Sequence, residues 1–237
     1  MDETQGRQGQ EQSAGGGTTH HSARKPARGH RTRKSTIRET TLIILIPALI
    51  VALIRFFLIG IYVIPSGSME NTLMIGDRIV TSKLDGKITP LQRGDIIVFK
   101  DPDHWLTMQQ DDALGGGYLV KRLIGLPGDH VACCDATGDI TINGVPITEP
   151  YVKPGDPPSL IPFNVTVTPG NLFVLGDNRS NSADSRYHLN DGNDGLVPVS
   201  DVVGVVKLVY WPFNRWKWIS RPASVFARVG GISGVYE

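Results

Sequence analysis

A serine hydroxyl and a lysine amine are the groups in this sequence that are best placed to do chemistry. Ser68 lies in the run Pro-Ser-Gly-Ser-Met at residues 65–69, where Gly67 permits a tight turn and the close approach of another backbone. A serine hydroxyl is a weak nucleophile until a base removes its proton. A lysine becomes that base when burial away from carboxylates keeps its amine neutral. These two residue types indicate a hydrolase that needs no histidine.

Lys121 is the favoured base. It has apolar neighbours in the run Tyr-Leu-Val-Lys-Arg-Leu-Ile at residues 118–124, a pattern typical of a central strand. Side chains alternate between the two faces of a strand, so Lys121 and Arg122 point in opposite directions and one of them can enter an apolar environment. Lys83 is a weaker alternative on the same grounds, and both lysines could instead snorkel from strand edges.

Histidine is the usual base for a serine nucleophile, so the histidines after the apolar segment are alternative bases. His104, His130 and His188 each lie in a polar loop or turn context, and no recognisable catalytic motif surrounds any of them. We predict that all three are solvated surface residues.

A dense polar run, Gly-Asp-Asn-Arg-Ser-Asn-Ser-Ala-Asp-Ser-Arg, occupies residues 176–186 between two apolar stretches. It could be a turn or an oxygen-rich cation loop, although two arginines inside it argue against a cation. Asp177, Arg179, Asp184 and Arg186 could instead pair with one another and fix the loop. A loop fixed in this way could hold a serine against the base.

The elements that must position these groups are β-strands. Short apolar runs rich in β-branched residues alternate with Gly, Pro and Asp turns over residues 64–218, and their spacing suits antiparallel strands. Asn143-Gly144 inside alternating apolar residues is a strong hairpin signal. Residues 103–117 and 187–194 are predicted to be flexible insertions. We therefore predict a mostly β, antiparallel, barrel-like catalytic domain.

One apolar segment precedes that domain. No charged residue occurs from Thr40 to Ile54, a stretch of roughly 22 Å as a helix, which is short of the ~30 Å hydrocarbon core. Arg55 can snorkel to the far interface while the next apolar residues stay among the headgroups. A cleaved signal peptide is the alternative, but the basic tail is long for one and no small-residue cleavage pattern follows. We predict one uncleaved transmembrane helix with an interfacial extension over residues 40–61.

The formal net charge of +1 hides an asymmetry along the chain. Residues 1–39 carry eight basic and four acidic side chains. The first stretch is almost free of apolar residues and is predicted to be a disordered tail. The positive-inside rule places that end in the cytoplasm and the β domain outside. No basic patch in the β domain suggests a nucleic-acid partner.

The cysteines of the chain are Cys133 and Cys134, which are adjacent. Disulfides are permitted outside the cytoplasm, but disulfide geometry is specific and a vicinal pair must close a strained ring. The sequence therefore favours two unlinked cysteines. Two cysteines alone are a poor metal signal, and we predict no metal and no cofactor.

The ordered set of motifs resembles the bacterial type I signal peptidases, membrane-bound Ser/Lys proteases that remove secretory signal peptides. The resemblance covers the chain from about Arg55 to Trp218. Each block is modestly specific by itself, whereas the ordered set is highly specific. The blocks are Pro-Ser-Gly-Ser-Met (65–69), Gly-Asp-Arg-Ile-Val (76–80), Arg-Gly-Asp-Ile-Ile-Val-Phe (93–99), Lys-Arg-Leu-Ile-Gly-Leu-Pro-Gly-Asp (121–129) and Gly-Asp-Asn-Arg (176–179).

The resemblance implies a role for each motif residue. Ser68 is implied to be the nucleophile and Lys121 the general base, with the Ser68 amide and the Ser66 hydroxyl as the oxyanion hole. Ser182 is implied to orient the lysine ammonium. Asp184, paired with Arg186, is implied to support the loop that carries it, and Asp177 and Arg179 are implied to be structural members of the same cluster. A shallow pocket for small side chains is implied at Ile64, Pro65, Met69, Leu73 and Val120.

The substrate implied by the resemblance is a preprotein whose signal peptide ends in Ala-x-Ala and docks as an added strand. The implied location is the plasma membrane, crossed once, near the secretion translocon, with the lipid bilayer as a further partner. The expected parts are a disordered basic cytoplasmic tail (1–39), the transmembrane helix and its extension (40–61), an extracytoplasmic protease domain (62–222) and a C-terminal tail (223–237).

The sequence departs from the family pattern at two places near the motifs. Asn71 stands where proline is usual, and Ser180 replaces a frequent aspartate. Neither departure removes a catalytic group. The alternatives are an inactive or self-processing Ser/Lys relative and, from a different class, a single-pass β-domain scaffold. A scaffold would keep its function after Ser68 and Lys121 were replaced.

Overall fold

The computed structural model describes residues 33–106 and 117–230, with side chains from residue 39 onward. The predicted basic tail lies outside these residues apart from its last few positions. One helix, α1 (Arg33–Phe57), contains Pro47 and is long and apolar enough over Glu39–Phe57 to cross a membrane. This is the helix that the sequence predicted from the uncharged run.

The helix ends before the predicted interfacial extension does. Lys83 donates from Nζ to the carbonyl oxygen of Phe56 at 2.9 Å, which satisfies one of the free carbonyls of the last turn. Beyond it, Ile59–Val63 forms a β-strand that pairs with residues 78–82. Most of the apolar run after Arg55 is therefore β-strand rather than helix, because residues 59–63 pair with the neighbouring strand at 78–82.

The rest of the described chain is antiparallel β-structure, which confirms the predicted fold class. The strands are β1 (Ile59–Val63), β2 (Arg78–Ser82), β3 (Ile96–Lys100), β4 (Tyr118–Gly125), β5 (His130–Cys133), β6 (Ile140–Ile142), β7 (Val145–Ile147), β8 (Phe163–Thr166), β9 (Asn171–Leu175), β10 (Val197–Pro198), β11 (Val202–Trp211) and β12 (Lys217–Trp218). An eight-stranded sheet has the order β1-β2-β11-β3-β4-β9-β10, with β12 on β11. A four-stranded sheet has the order β7-β6-β5-β8.

Strand β4 is the strand that carries Lys121. It pairs with β3 on one side and β9 on the other, so its backbone groups are paired within the sheet. Leu119 and Leu123 join one apolar cluster of the core, while Val120 joins another. Lys121 therefore lies in the middle of the sheet, as predicted from its apolar neighbours.

The C-terminal boundary differs from the prediction. Residues 223–230 are not a free tail, because Phe226 and Val229 are each 5% exposed and belong to an apolar cluster with residues of β5, β6 and β9. The ring of Phe226 also packs against Gly94, where a Cβ atom would lie 2.8 Å from it. Burial of these two apolar side chains fixes a segment whose sequence shows no strand pattern.

The prediction of unlinked cysteines is corrected by the structure. Cys133 and Cys134 form a vicinal disulfide with their Cα atoms 2.9 Å apart. Cys133 is the last residue of β5, paired with Ile140 and Phe163, and Cys134 lies beyond the ladder. The second cysteine is therefore free of strand pairing and can turn back on the first.

Candidate active site

Ser68 lies on a short 3₁₀ turn, Gly67–Met69, just after β1. It is 8% exposed, and its hydroxyl oxygen is 3.4 Å from that of Ser66. Asn178 reaches this turn from the polar loop and donates from Nδ2 to the Gly67 carbonyl at 2.9 Å and from its main-chain amide to the Ser68 carbonyl at 3.1 Å. The turn that carries Ser68 is thus held by hydrogen bonds from Asn178 in a distant loop.

Gly176 makes this contact between the two segments possible. A Cβ atom at Gly176 would lie 2.5 Å from the Ser68 carbonyl oxygen and 2.2 Å from Ser182 Oγ. Only a residue without a side chain can occupy a position so close to both serines. Ser182 itself is buried, and its hydroxyl has no hydrogen-bond partner among the described residues.

Lys121 is buried on β4 opposite Ile97 of β3, and only 4% of it is exposed. Burial lowers the pKa of Lys121 from 10.5 to about 8. The carboxylate of Asp184 opposes this change, Arg186 adds to it, and Asp177 opposes it again. Near neutral pH a larger fraction of this amine is therefore neutral than in a solvated lysine, because burial disfavours the charged form.

Ser68 and Lys121 line one cavity of about 680 Å³, together with Ser66 and Ser182. The structure therefore brings together the four residues that the motifs indicated. Lys83, the alternative base, is absent from this lining and contacts the end of the helix instead.

The implied apolar pocket also assembles. Ile64, Met69, Leu73 and Val120 belong to one buried cluster, and all of these except Leu73 line the cavity, as does Pro65. Leu73 lies within the cluster and is fully buried. The cavity thus has a wall of apolar side chains beside the segment that carries Ser68.

The charged residues of the polar loop do not all pair with one another, which corrects one prediction. Asp184 and Arg186 do pair, through contacts of 2.8 Å from both Nε and Nη2, and Gly176 donates its amide to Asp184 Oδ2 at 2.9 Å. Burial raises the pKa of Asp184, but the hydrogen bonds and charge of Arg186 outweigh burial and hold it below its usual range.

Asp177 and Arg179 find their partners in other elements. Arg122 of β4 contacts Asp177 through Nε at 2.7 Å and Nη2 at 2.6 Å, and Thr72 also donates to this carboxylate. Arg179 forms a two-pronged pair with Glu149, at 2.8 and 2.7 Å. Buried charges of this kind require partners of opposite charge, and the fold places Arg122 beside Asp177 and Glu149 beside Arg179.

Several functional residues were not identified from the sequence. Arg122, Glu149, Gly176 and Asn178 all support the site. Gly176 and Asn178 lie inside the Gly-Asp-Asn-Arg motif, and Arg122 directly follows Lys121, so proximity to a motif was a usable signal for these three. Glu149 lies in a turn with no motif near it.

His188 is not a solvated surface residue, contrary to prediction. It lines the cavity, and its ring stacks on Trp105 with the ring centroids 4.3 Å apart. His130, in contrast, is half-buried and makes a solvent-exposed contact with Asn164 at 2.5 Å, and His104 is exposed. Among the described residues, no group of three or more His, Cys, Asp or Glu could hold a metal ion.

The two departures from the family pattern have local explanations. Asn71 has a φ of +82°, a conformation closed to proline, and donates from Nδ2 to the Tyr151 carbonyl at 3.0 Å. Ser180 donates from its hydroxyl and its amide to the carboxylate of Asp156, at 2.8 and 3.1 Å. The family motif usually has an aspartate at the position of Ser180. Here the carboxylate that contacts this position comes from Asp156 in another loop.

Residues 37–211 match the family model described as signal peptidase, peptidase S26. The chain belongs to the peptidase S26 family of signal peptidases. That membership makes it a serine endopeptidase by family, and it confirms the family and enzyme class predicted from the motifs.

The similar proteins include signal peptidases of several bacteria. The chain is 39% identical over 201 residues to a probable signal peptidase I of Mycobacterium leprae, covering 65% of this chain and 69% of that protein. It is 36% identical over 223 residues to signal peptidase I of Mycobacterium tuberculosis, covering 78% and 76%. A solved signal peptidase I from Enterococcus faecalis is 34% identical, covering 50% of this chain and 98% of that chain, with a TM-score of 0.36.

Proposed function

We propose that this S26 family member removes N-terminal signal peptides from exported preproteins after Ala-x-Ala type sites, with Ser68 as nucleophile and Lys121 as general base. The observation that carries this proposal is the shared cavity of Ser68 and a buried Lys121. A buried lysine beside a serine hydroxyl has the low proton affinity that a general base at near-neutral pH requires.

Acylation begins when neutral Lys121 Nζ takes the proton of Ser68 Oγ. The oxygen attacks the carbonyl carbon of the scissile peptide bond, and the negative charge moves to the carbonyl oxygen. The Ser68 amide and the Ser66 hydroxyl stabilise that charge, and loss of one such donor is expected to cost about 2.7–4 kcal/mol. Lys121 then gives its proton to the departing amine, and the signal peptide stays on Ser68 as an ester.

Deacylation again passes a proton through Lys121 from the nucleophile to the leaving group. Neutral Lys121 takes a proton from a water molecule, whose oxygen attacks the ester carbonyl, and Lys121 then gives that proton to Ser68 Oγ as the ester C–O bond breaks and the signal peptide leaves with a free carboxyl group that ionises in solution. Ser182 is suited to orient the lysine through both steps, because its hydroxyl is buried at the same cavity and is not engaged in a hydrogen bond among the described residues. The Asp184–Arg186 and Asp177–Arg122 pairs hold the surrounding backbone.

The apolar wall of the cavity supports a preference for small substrate residues. Ile64, Met69 and Val120 leave a shallow surface beside Ser68, with Leu73 packed behind it. Such a surface suits the alanines of an Ala-x-Ala site, whose side chains add little volume.

The apolar helix supports a location in the plasma membrane. Glu39–Phe57 is long enough to span it, and basic residues before the helix favour a cytoplasmic N-terminus. The catalytic domain, from β1 to about residue 230, would then lie outside, against the lipid surface and near the translocon from which substrates emerge.

The test is cleavage of a preprotein with an Ala-x-Ala site by the purified full chain in detergent. Ser68→Ala and Lys121→Ala are expected to abolish cutting after the second alanine. Lys83→Ala is the matched control, since Lys83 is a lysine outside the cavity lining, and it should cut normally. Cutting that survives Lys121→Ala but is lost in Lys83→Ala would move the base to Lys83. A folded wild-type chain that does not cut would overturn the proposal.

A further inference from the structure

The cavity has a second wall that the motifs do not include. Trp105 and His188 come from two loops, one after β3 and one after the polar run, and their rings stack with an interplanar angle of 5°. Both line the same cavity as Ser68 and Lys121. Residues 187–194 were predicted to be a flexible insertion, so this contact gives that loop a defined place.

Trp105 is firmly held although it lies in a loop. Its indole Nε1 donates to Asp191 Oδ2 at 2.8 Å, and its main-chain amide donates to Asp101 Oδ1 at 2.7 Å. Its ring meets the ring of Phe99 edge to face, with centroids 6.2 Å apart. Only 5% of Trp105 is exposed. The loop thus places a large apolar side chain at a fixed position over the sheet.

That position lies on the face of the sheet that carries Lys121. In the β3–β4 pair, Phe99 is opposite Leu119 and Ile97 is opposite Lys121. Residues two apart on a strand share a face, so Lys121 lies on the same face as Leu119. Trp105 belongs to the apolar cluster that contains Ile97, Phe99 and Leu119. The indole therefore lies on the Lys121 face of the sheet and lines the same cavity as Lys121, and the His188 ring stacks on it.

We propose that Trp105, held by its stack on His188, is the cover that excludes water from the Lys121 amine. Trp105 is then a positioning residue for the base, and this role rests on the proposed function of Lys121. Exclusion of water from around a buried amine disfavours its charged form. Entry of water beside the amine solvates that form and makes it favourable again.

The charged groups around Lys121 come from residues other than Trp105. Asp184, Arg186 and Asp177 act on it from the polar loop, and His188 lines the same cavity. Burial lowers the pKa of His188, the nearby carboxylates including Asp191 oppose this, and Lys121 lowers it further. A neutral imidazole completes the stack without adding a positive charge beside the lysine.

The test is a pH titration of the Lys121 13Cε resonance in the full chain in detergent, without substrate, combined with the pH profile of kcat/KM. In Trp105→Ala the midpoint of Lys121 is expected to rise by about one pH unit or more. Cleavage near pH 7 should then fall about tenfold and recover at alkaline pH, because fewer molecules hold a neutral base at neutral pH. Trp105→Phe should retain most of the wild-type profile.

Two controls separate this role from a merely structural one. Trp211→Ala and His130→Ala remove the same side-chain types outside the cavity lining, and both should leave the midpoint unchanged. If Trp105→Ala does not fold, His188→Ala removes the stack while Asp191 still holds the indole, and a smaller rise is expected. An unchanged midpoint in the folded variants overturns the proposal. Because the titration needs no substrate, absence of cleavage by the wild type would count against the proposed function alone.

Discussion

The main-chain amide of Asn178 donates to the carbonyl oxygen of Ser68 across 3.1 Å, and it joins two segments separated by more than a hundred residues. The side chain of Asn178 adds a second bond, to Gly67. A turn fixed through its carbonyls has a fixed amide direction as well, because the peptide unit is planar. The direction of the Ser68 amide, which the proposed oxyanion hole uses, therefore depends on this asparagine.

Asn178→Ala is expected to lower kcat about tenfold or more with little change in KM, since the Gly67 contact positions the turn rather than the substrate. Asn178→Asp should behave similarly because it lacks the amide donor. Steady-state kinetics on an Ala-x-Ala peptide measure both constants. Asn190→Ala, at an exposed position, is the control. A rise in KM with unchanged kcat would show that Asn178 acts on substrate binding instead.

Lys121 predicts a specific pH dependence of activity. Its pKa in the folded chain is about 8, below its ordinary value of 10.5. The neutral, active form therefore accumulates as pH rises through about 8, and kcat/KM should increase over that range and level off above it. Rate measurements from acid to alkaline pH in one detergent buffer series test this. A profile that is flat down to acid pH contradicts a lysine base.

The same depressed pKa predicts an effect on stability. Between about pH 8 and 10.5 the unfolded chain binds more protons than the folded chain, so the contribution of Lys121 to stability rises with pH in that window. Below about pH 8 the full penalty of burying the amine is present. Lys121→Met should therefore raise the free energy of unfolding near neutral pH by roughly 3 kcal/mol, and this gain should shrink as the pH approaches 10.5. Denaturant unfolding at several pH values measures it, and an equal gain at all pH values would exclude protonation as the cause.

Gly176→Ala is expected to abolish most activity. The added Cβ atom would lie 2.2 Å from Ser182 Oγ and 2.5 Å from the Ser68 carbonyl, so one of the two segments must move. Gly192→Ala is the matched control, because its Cβ atom would meet only Asp103 Oδ2, at 3.4 Å. Peptide cleavage and thermal melting should be measured for both. A fully active Gly176→Ala chain would show that activity tolerates separation of the Ser182 loop from the turn that carries Ser68.

The Arg122–Asp177 pair is expected to matter far more for stability than a surface pair. Both side chains are almost fully buried, so Arg122→Ala leaves an uncompensated carboxylate and should cost about 3–5 kcal/mol. Lys207→Ala breaks a 3.2 Å pair with Asp85 in which the lysine side chain is 41% exposed, and should cost at most ~1 kcal/mol. Denaturant unfolding compares the two variants, and similar losses would contradict the burial argument.

Local patterns in the sequence determined the β-rich fold class, the apolar helix, the central position of Lys121 and the family. Strand alternation, turn residues and an uncharged run each express a preference over a few neighbouring residues, so they can be read without coordinates. The Ser-Gly-Ser turn and the polar loop were recognised for the same reason. The chemistry of a serine with a buried lysine follows from these residue types and their surroundings.

The tertiary structure alone decided which distant side chains meet. Arg179 pairs with Glu149 rather than with a residue of its own loop, and Trp105 stacks on His188. Phe226 packs into an apolar cluster formed by strands that are distant in the chain. The residues in these contacts are far apart in the sequence and form no repeating pattern, so local sequence preferences do not predict the contacts. They form because a buried charge requires an oppositely charged partner and an apolar ring is stabilised by removal from water. Only the folded chain shows which neighbours meet these requirements.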